Sequence, residues 1–241
     1  MEAFILAAGL GTRLRPLTND RPKALVEIDG RTLLEINIDR IVKAGARRII
    51  INIHHFADKM VDFITSRDWG TEVIISDESG LLLDTGGGLK NAQSFFSMKE
   101  PILIHNVDIL HHLDLSEIIS QHTDSMNIAT LIVSQRSTSR YLLFNQDNLL
   151  TGWHNKKTDQ TLWVTTAENQ YRELAFSGLA VIQPELLNLL PEAQQPYPIV
   201  PEYLKIARNH RISIFEHPAD QWMDVGKPET LAQASQFLKK K

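Results

Sequence analysis

A chain of 241 residues with 43% hydrophobic positions is long enough to bury a substantial core, and its formal net charge of −4 provides no global basic field for nucleic acid. It has no cysteine, which excludes disulfides, thiolate catalysis and cysteine-ligated zinc. Met1 leads straight into a strand-like run without a charged leader, and no apolar stretch approaches the roughly 20 residues of a membrane span, so a cytoplasmic protein without membrane or nucleic-acid partners is expected.

Phe4 to Ala7 is short, apolar and bounded by glycine, the pattern of a strand buried on both faces. Gly9 and Gly11 follow, allowing a sharp turn with open backbone amides, and Arg13 and Lys23 add positive charge. A bent backbone with free N–H groups beside cations suits a polyphosphate. Two common phosphate-loop patterns fail on spacing. No Gly-Lys-Ser/Thr follows Gly11, and Leu14 stands where the dinucleotide fingerprint needs its third glycine.

Thr32-Leu33-Leu34-Glu35 is a capping box, followed by Leu34, Ile38, Ile41 and Val42 at helical spacing and by Gly45 as a stop. A strand is expected over 48–53, a short helix over 57–66 and a third strand over 72–76. This alternation implies right-handed crossovers and a mainly parallel sheet. His54-His55 reads as a solvated pair at a strand end. Gly86-Gly87-Gly88 would cost about 1 kcal/mol each inside a helix, so they read either as a loop feeding a helix over 89–96 or, the favoured reading, as a close-approach surface. Their lack of side chains also offers close approach to a flat base or sugar.

Pro101 to Asp108 reads as an apolar strand ending in Asn106 and Asp108, and ligands of open parallel sheets gather at such carboxyl ends. Asp108 is therefore a candidate Mg²⁺ ligand, since that ion takes one or two carboxylates together with substrate phosphates. A helix is expected over 115–122 and a strand over 127–134. Residues 135–175 alternate short apolar stretches with turn signals such as Asn145-Gln146-Asp147-Asn148, which predicts hairpin-rich β structure. A strand returns over 175–182, interrupted by Gly178. Short helices over 184–190 and 200–208 and a strand over 212–216 precede Trp222-Met223-Asp224-Val225-Gly226-Lys227-Pro228, with Pro228 opening the last helix. Lys239-Lys240-Lys241 reads as a solvated end.

The string Leu6-Ala7-Ala8-Gly9-x-Gly11-Thr12-Arg13-Leu14-x-Pro16 with Pro22-Lys23 resembles the signature of the sugar-1-phosphate nucleotidyltransferases, and Trp222-x-Asp224-Val225-Gly226-x-Pro228 resembles the family's second metal-ligand motif. Asp84-Thr85-Gly86-Gly87-Gly88 resembles the N-acetylmuramate-1-phosphate uridylyltransferases in particular. Two departures stand out: Val107 replaces a small residue and is expected to restrict the approach of the sugar phosphate, and no Glu-Lys-Pro string is found near Asn155-Lys156-Lys157.

The resemblance implies an α/β fold, a Rossmann-like three-layer α/β/α domain over 1–241 with a mixed, mainly parallel sheet and a small β-rich insertion on the sugar side. Residues 1–134 would form the nucleotide-binding half and 135–241 the sugar-acceptor half. It also implies Mg²⁺ held by Asp108 and Asp224, Arg13 and Lys23 as the cations on the reacting phosphates, and nucleotide contacts from Ala8, Gly9, Gly11, Thr12, Thr85 and Gly86. Asn106 and Gly178 would face the sugar. The expected partners are a nucleoside triphosphate and a sugar 1-phosphate, in a monomer or small homo-oligomer. With no long hexapeptide-repeat segment in the sequence, a single activity is expected. Uridylyl transfer to N-acetylmuramate 1-phosphate, guanylyl or cytidylyl transfer to mannose-, heptose- or choline-phosphate, and a non-catalytic nucleotide-sugar-binding subunit all remain open at this point.

Overall fold

The computed structural model describes residues 1–240; the end of the expected solvated tail, Lys241, lies outside the described residues. The chain opens with β1 (Glu2–Leu6), the small ribbon β2 (Glu27–Ile28) and β3 (Arg31–Thr32), then α1 (Leu33–Lys43), β4 (Arg48–Ile53), α2 (Ala57–Thr65), β5 (Glu72–Asp77) and α3 (Asp84–Asn91). Next come β6 (Ile102–Asn106), β7 (Ile109–His111), α4 (Leu115–Thr123), β8 (Ala129–Ser134) and the hairpin strands β9 (Arg140–Phe144), β10 (Leu150–Asn155) and β11 (Gln160–Trp163). The long β12 (Arg172–Ile182) leads to α5 (Leu186–Leu189), α6 (Ile199–Ile206), β13 (Ile212–Glu216), β14 (Trp222–Asp224) and α7 (Pro228–Lys239).

The main sheet is mixed. β1 lies between β4 and β6 and β5 flanks β4, all parallel, whereas β12 runs antiparallel to β6 and β8 and its amino end joins the hairpins through β9. β13 is parallel to β8. Alternation of side chains across the sheet explains why the central strands are continuously apolar. Ala3, Ile5, Ile49, Ile51 and Leu103 enter one core with α1, α2, α4 and α7, while Phe4, Ile50, Ile102 and Ile104 enter a second core with α3, α5 and α6. The result is a three-layer α/β/α architecture with a mixed, mainly parallel sheet and a β-rich annex.

The capping box forms as the sequence implies: Thr32 accepts from Glu35 N and Glu35 reaches back to the Thr32 amide. Gly45 adopts φ 87 at the end of α1 and donates to Val42 O at 2.9 Å. One expectation is corrected. The glycine triplet lies inside α3 rather than in a loop before it, and the helix ends at Asn91 in a 3-10 turn over Ala92–Phe95. The physical reason is packing. A Cβ on Gly86 would sit 2.5 Å from the Tyr197 ring, and one on Gly88 would sit 2.6 Å from Glu78 Oε1. Side-chain-free positions let this helix approach its neighbours, at the propensity cost that the sequence suggests.

Candidate active site

The carboxyl ends of β1, β4 and β6 open into a cleft of about 430 Å³ lined by Ala8, Gly9, Lys23, Thr85, Asn106 and Asp108, with Asn52 at its floor. The loop after β1 is fixed from below. Asn52 Oδ1 accepts the amides of Ala7 at 2.7 Å and Ala8 at 3.3 Å. Gly11 takes the left-handed conformation at φ 63 and its carbonyl accepts from Thr18 Oγ1 at 2.9 Å. A Cβ there would press within 3.1 Å of Lys23 Cβ, so the turn closes directly over the lysine. Thr12 is exposed at the start of the 3-10 turn Thr12–Leu14, while Leu14 anchors that turn in the core.

Lys23 Nζ stands 2.8 Å from Asp108 Oδ2, and an Arg13 Nη stands 3.9 Å from the same oxygen. Lys23 is 14% exposed and Arg13 58%, so the first cation is set in the wall and the second lies open at the rim. Asp224 arrives on β14, which pairs with β7 in the register Asp224 opposite Ile109, and Val225 N donates to Asp108 O at 2.9 Å. This short ribbon joins two carboxylates that are far apart in sequence. A Cβ on Gly226 would lie 2.8 Å from Asp224 Oδ1, 2.9 Å from Asp108 Oδ2 and 2.8 Å from the Arg13 guanidinium. The three groups therefore converge on one small space that only glycine leaves open.

Asn106 meets Gly178 at the other side of the cleft. Gly178 has φ 76 at an irregularity in the β8–β12 pairing, and a Cβ would stand 2.9 Å from Asn106 Nδ2. Thr85 and Gly86 divide their tasks. Thr85 lines the cleft while its hydroxyl accepts from Ile199 N at 2.9 Å. Gly86 is buried behind it, with its N–H donated to Tyr197 O at 2.9 Å, so that amide is not directed to the cleft. Val107 corrects a second expectation. Its side chain is fully buried in the core on the α1 side, and its carbonyl accepts from Asn37 Nδ2 at 2.8 Å, so it does not narrow the approach to the cleft. Successive strand residues face opposite sides, and Val107 follows the alternation that Asn106 begins.

Nucleotidyl transferase is the family whose model matches, over residues 2–241. The chain belongs to that family. This nucleotidyltransferase is 32% identical to the N-acetylmuramate alpha-1-phosphate uridylyltransferase of Caulobacter vibrioides, over 98% of this chain and 96% of the relative. It is 28% identical to the enzyme of the same name from Neisseria meningitidis serogroup B, over 97% and 96%. Its fold is similar to that of HddC from Yersinia pseudotuberculosis, with a TM-score of 0.77 at 22% identity, covering 99% of both chains. No helix among the described residues is long and apolar enough to cross a membrane.

Sequence reasoning missed several residues around this nucleotidyltransferase's cleft. Asn52 interrupts an isoleucine run at the end of β4, and that polar break was the available signal. Its Nδ2 donates to Glu78 Oε1 at 2.8 Å, and Glu78 Oε2 accepts from Leu83 N at 3.1 Å. Burial pushes the Glu78 carboxyl above its ordinary value. Arg136 carried no spacing signal. It stacks at 4.0 Å over Trp222, two residues before Asp224, and donates to Phe176 O at 2.6 Å.

Proposed function

We propose that the protein transfers a uridylyl group from UTP to N-acetylmuramate 1-phosphate, forming the UDP-sugar and releasing pyrophosphate in the course of cell-wall sugar salvage. The observation that carries this reading is the convergence of Asp108, Asp224, Arg13 and Lys23 at the mouth of a glycine-walled cleft. The two relatives at 32% and 28% identity, each matched over nearly its whole length, support the choice of base and sugar.

The donor set suits Mg²⁺. Asp108 Oδ2 and Asp224 Oδ1 converge beside Gly226, and hard oxygen donors of this kind leave the remaining positions to substrate phosphates. Asp108 and Asp224 would hold the ion, which would supply positive charge to the reacting phosphates.

The remaining chemistry belongs to the chain. An oxygen of the sugar phosphate forms a bond to the α-phosphorus as the bond to the β-phosphate bridge breaks, with the electron pair leaving on pyrophosphate. The attacking oxygen is already ionised, so no general base or covalent nucleophile is needed. Lys23, held in the wall, neutralises the reacting phosphates. Arg13, exposed at the rim, follows the leaving pyrophosphate. Ala8, Gly9, Gly11 and Thr12 shape the backbone around the triphosphate, Thr85 borders the base with Gly86 packed behind it against Tyr197, and Asn106 and Gly178 border the sugar. Positioning and charge neutralisation carry the catalysis. In this reading residues 1–134 serve the nucleotide and 135–241 the acceptor.

The test is pyrophosphate release with Mg²⁺ across four nucleoside triphosphates and a panel of N-acetylmuramate, N-acetylglucosamine, glucose, mannose and heptose 1-phosphates. Selective release with UTP and N-acetylmuramate 1-phosphate supports the proposal. Release with a different pair retains the chemistry and replaces the substrate, whereas nucleotide binding without release across the panel overturns it.

A further inference from the structure

A second cavity, of about 400 Å³, lies between the β9–β10 hairpin and α6. Its lining falls wholly within residues 138–204, in the half of the chain proposed to serve the acceptor. Tyr141, Trp153, Phe176, Pro198 and Val200 form largely apolar walls, and Arg140 is the one charged residue in the lining. In the β9–β10 register Leu142 lies opposite Trp153 and Arg140 opposite Asn155, so alternation turns Arg140 and Leu142 to the same face.

The cavity and the catalytic cleft share a wall. Pro196 lines the cleft, whereas Pro198 and Val200 line the cavity. Within that segment Ile199 N donates to the hydroxyl of Thr85, a cleft residue, at 2.9 Å. Phe176, on the cavity side, stands two residues before Gly178, which fits against Asn106 of the cleft. Arg140 also lacks a counter-charge. Nearby Lys156 and Arg172 are paired with Glu173 and Glu216, but among the described residues no carboxylate pairs with Arg140 and none lines the cavity. Arg136 is stacked on Trp222 and bonded to Phe176 O, and it takes no part in this lining.

We propose that Arg140 is a specificity-determining residue, which binds a carboxylate carried on the acceptor sugar while the apolar walls receive the neighbouring substituents. The inference rests on the proposed acceptor. N-acetylmuramate differs from N-acetylglucosamine by an ether-linked lactyl group, which adds a carboxylate and a methyl. A guanidinium presents parallel N–H donors to the two oxygens of a carboxylate, and Trp153 and Phe176 present apolar surface to methyl and acetyl groups. A neutral sugar leaves the cation unpaired in the same space. Charge, more than size, then separates the two acceptors.

The test compares N-acetylmuramate 1-phosphate with N-acetylglucosamine 1-phosphate, at fixed UTP and Mg²⁺, in the full chain and in its Arg140→Gln and Arg140→Lys variants. The ratio of kcat/KM values gives the preference, and calorimetric binding of each sugar phosphate gives it where one is not turned over. The unaltered protein should prefer the acidic sugar at least about tenfold. Arg140→Gln should lower that ratio about tenfold, chiefly through KM, and Arg140→Lys should retain part of it. Arg140 is exposed, so both variants are expected to fold. A ratio unchanged in Arg140→Gln, whether or not both rates fall, would overturn the proposal and leave the acceptor reading in place. No preference for the acidic sugar in the unaltered protein refutes that reading, and this inference with it.

Discussion

Asn52 and Glu78 share a buried hydrogen bond of 2.8 Å that couples the loop after β1 to the start of α3. Through its other side-chain atom Asn52 holds the Ala7 and Ala8 amides, and through its other oxygen Glu78 holds Leu83 N. The loop after β1 and the start of α3, which form two walls of the cleft, thus rest on one polar link beneath them. Gly88 is fitted against the same pair, with room for no Cβ.

Asn52→Ala would leave the Ala7 and Ala8 N–H groups and Glu78 Oε1 without partners, while Glu78 Oε2 keeps Leu83 N. At about 1–3 kcal/mol per stranded buried group, a loss of ~3 kcal/mol is expected. Denaturant unfolding measures that loss. Turnover of the surviving folded fraction should fall as well, because the loop amides lose their common acceptor.

Stability should decline as pH falls from neutrality. Burial lowers the His105 and His122 imidazoles from 6.5 to about 4, so the unfolded chain takes up protons first. Their contribution is present above pH 6.5 and is lost as pH falls toward 4. Glu78 has the opposite sign: with its carboxyl raised from 4.5 by burial, its contribution is present below that value and is lost as pH rises through the raised one. His122 lies outside the cleft, with Nδ1 at 2.9 Å from Thr130 Oγ1. His122→Gln should reduce the slope of stability against pH by ~1.4 kcal/mol per unit across the window from 6.5 to 4. Urea unfolding at a series of pH values checks it, and an unchanged slope would refute the assignment.

Gly86→Ala tests the packing of α3. In an open helix this change should gain about 1 kcal/mol. Here the new methyl would meet the Tyr197 ring at 2.5 Å, and a loss of about 1–3 kcal/mol is expected. Adding Tyr197→Ala should recover part of that loss in a double-mutant cycle, whereas Gly80→Ala, where nothing lies within 4 Å, serves as the control.

Lys23→Ala and Gly226→Ala should differ in kind. Lys23 is 14% exposed and pairs with a carboxylate only 10% exposed, so its loss is expected to reduce stability by ~2–4 kcal/mol as well as turnover. Gly226→Ala places a methyl between Asp108, Asp224 and Arg13, and should depress turnover at least tenfold with a smaller change in melting temperature. Parallel melting and pyrophosphate-release measurements separate the two effects.

The sequence by itself determined most of the elements and the family. Continuous apolar runs marked β1 and β4, the Thr32–Glu35 box marked the start of α1, and Gly9, Gly11, Lys23, Asp108 and Asp224 stood in strings specific enough to indicate the family. These signals are local, because caps, turns and periodicity act over a few residues. Only the tertiary structure decided that Val107 faces the core, that the glycine triplet belongs inside α3, and that Asn52 and Glu78 support the cleft from below. Each of these depends on which side of a sheet or helix meets which distant neighbour. For Gly86 that neighbour is Tyr197, more than a hundred residues along the chain, and the distance between them is set by packing that no short stretch of sequence records.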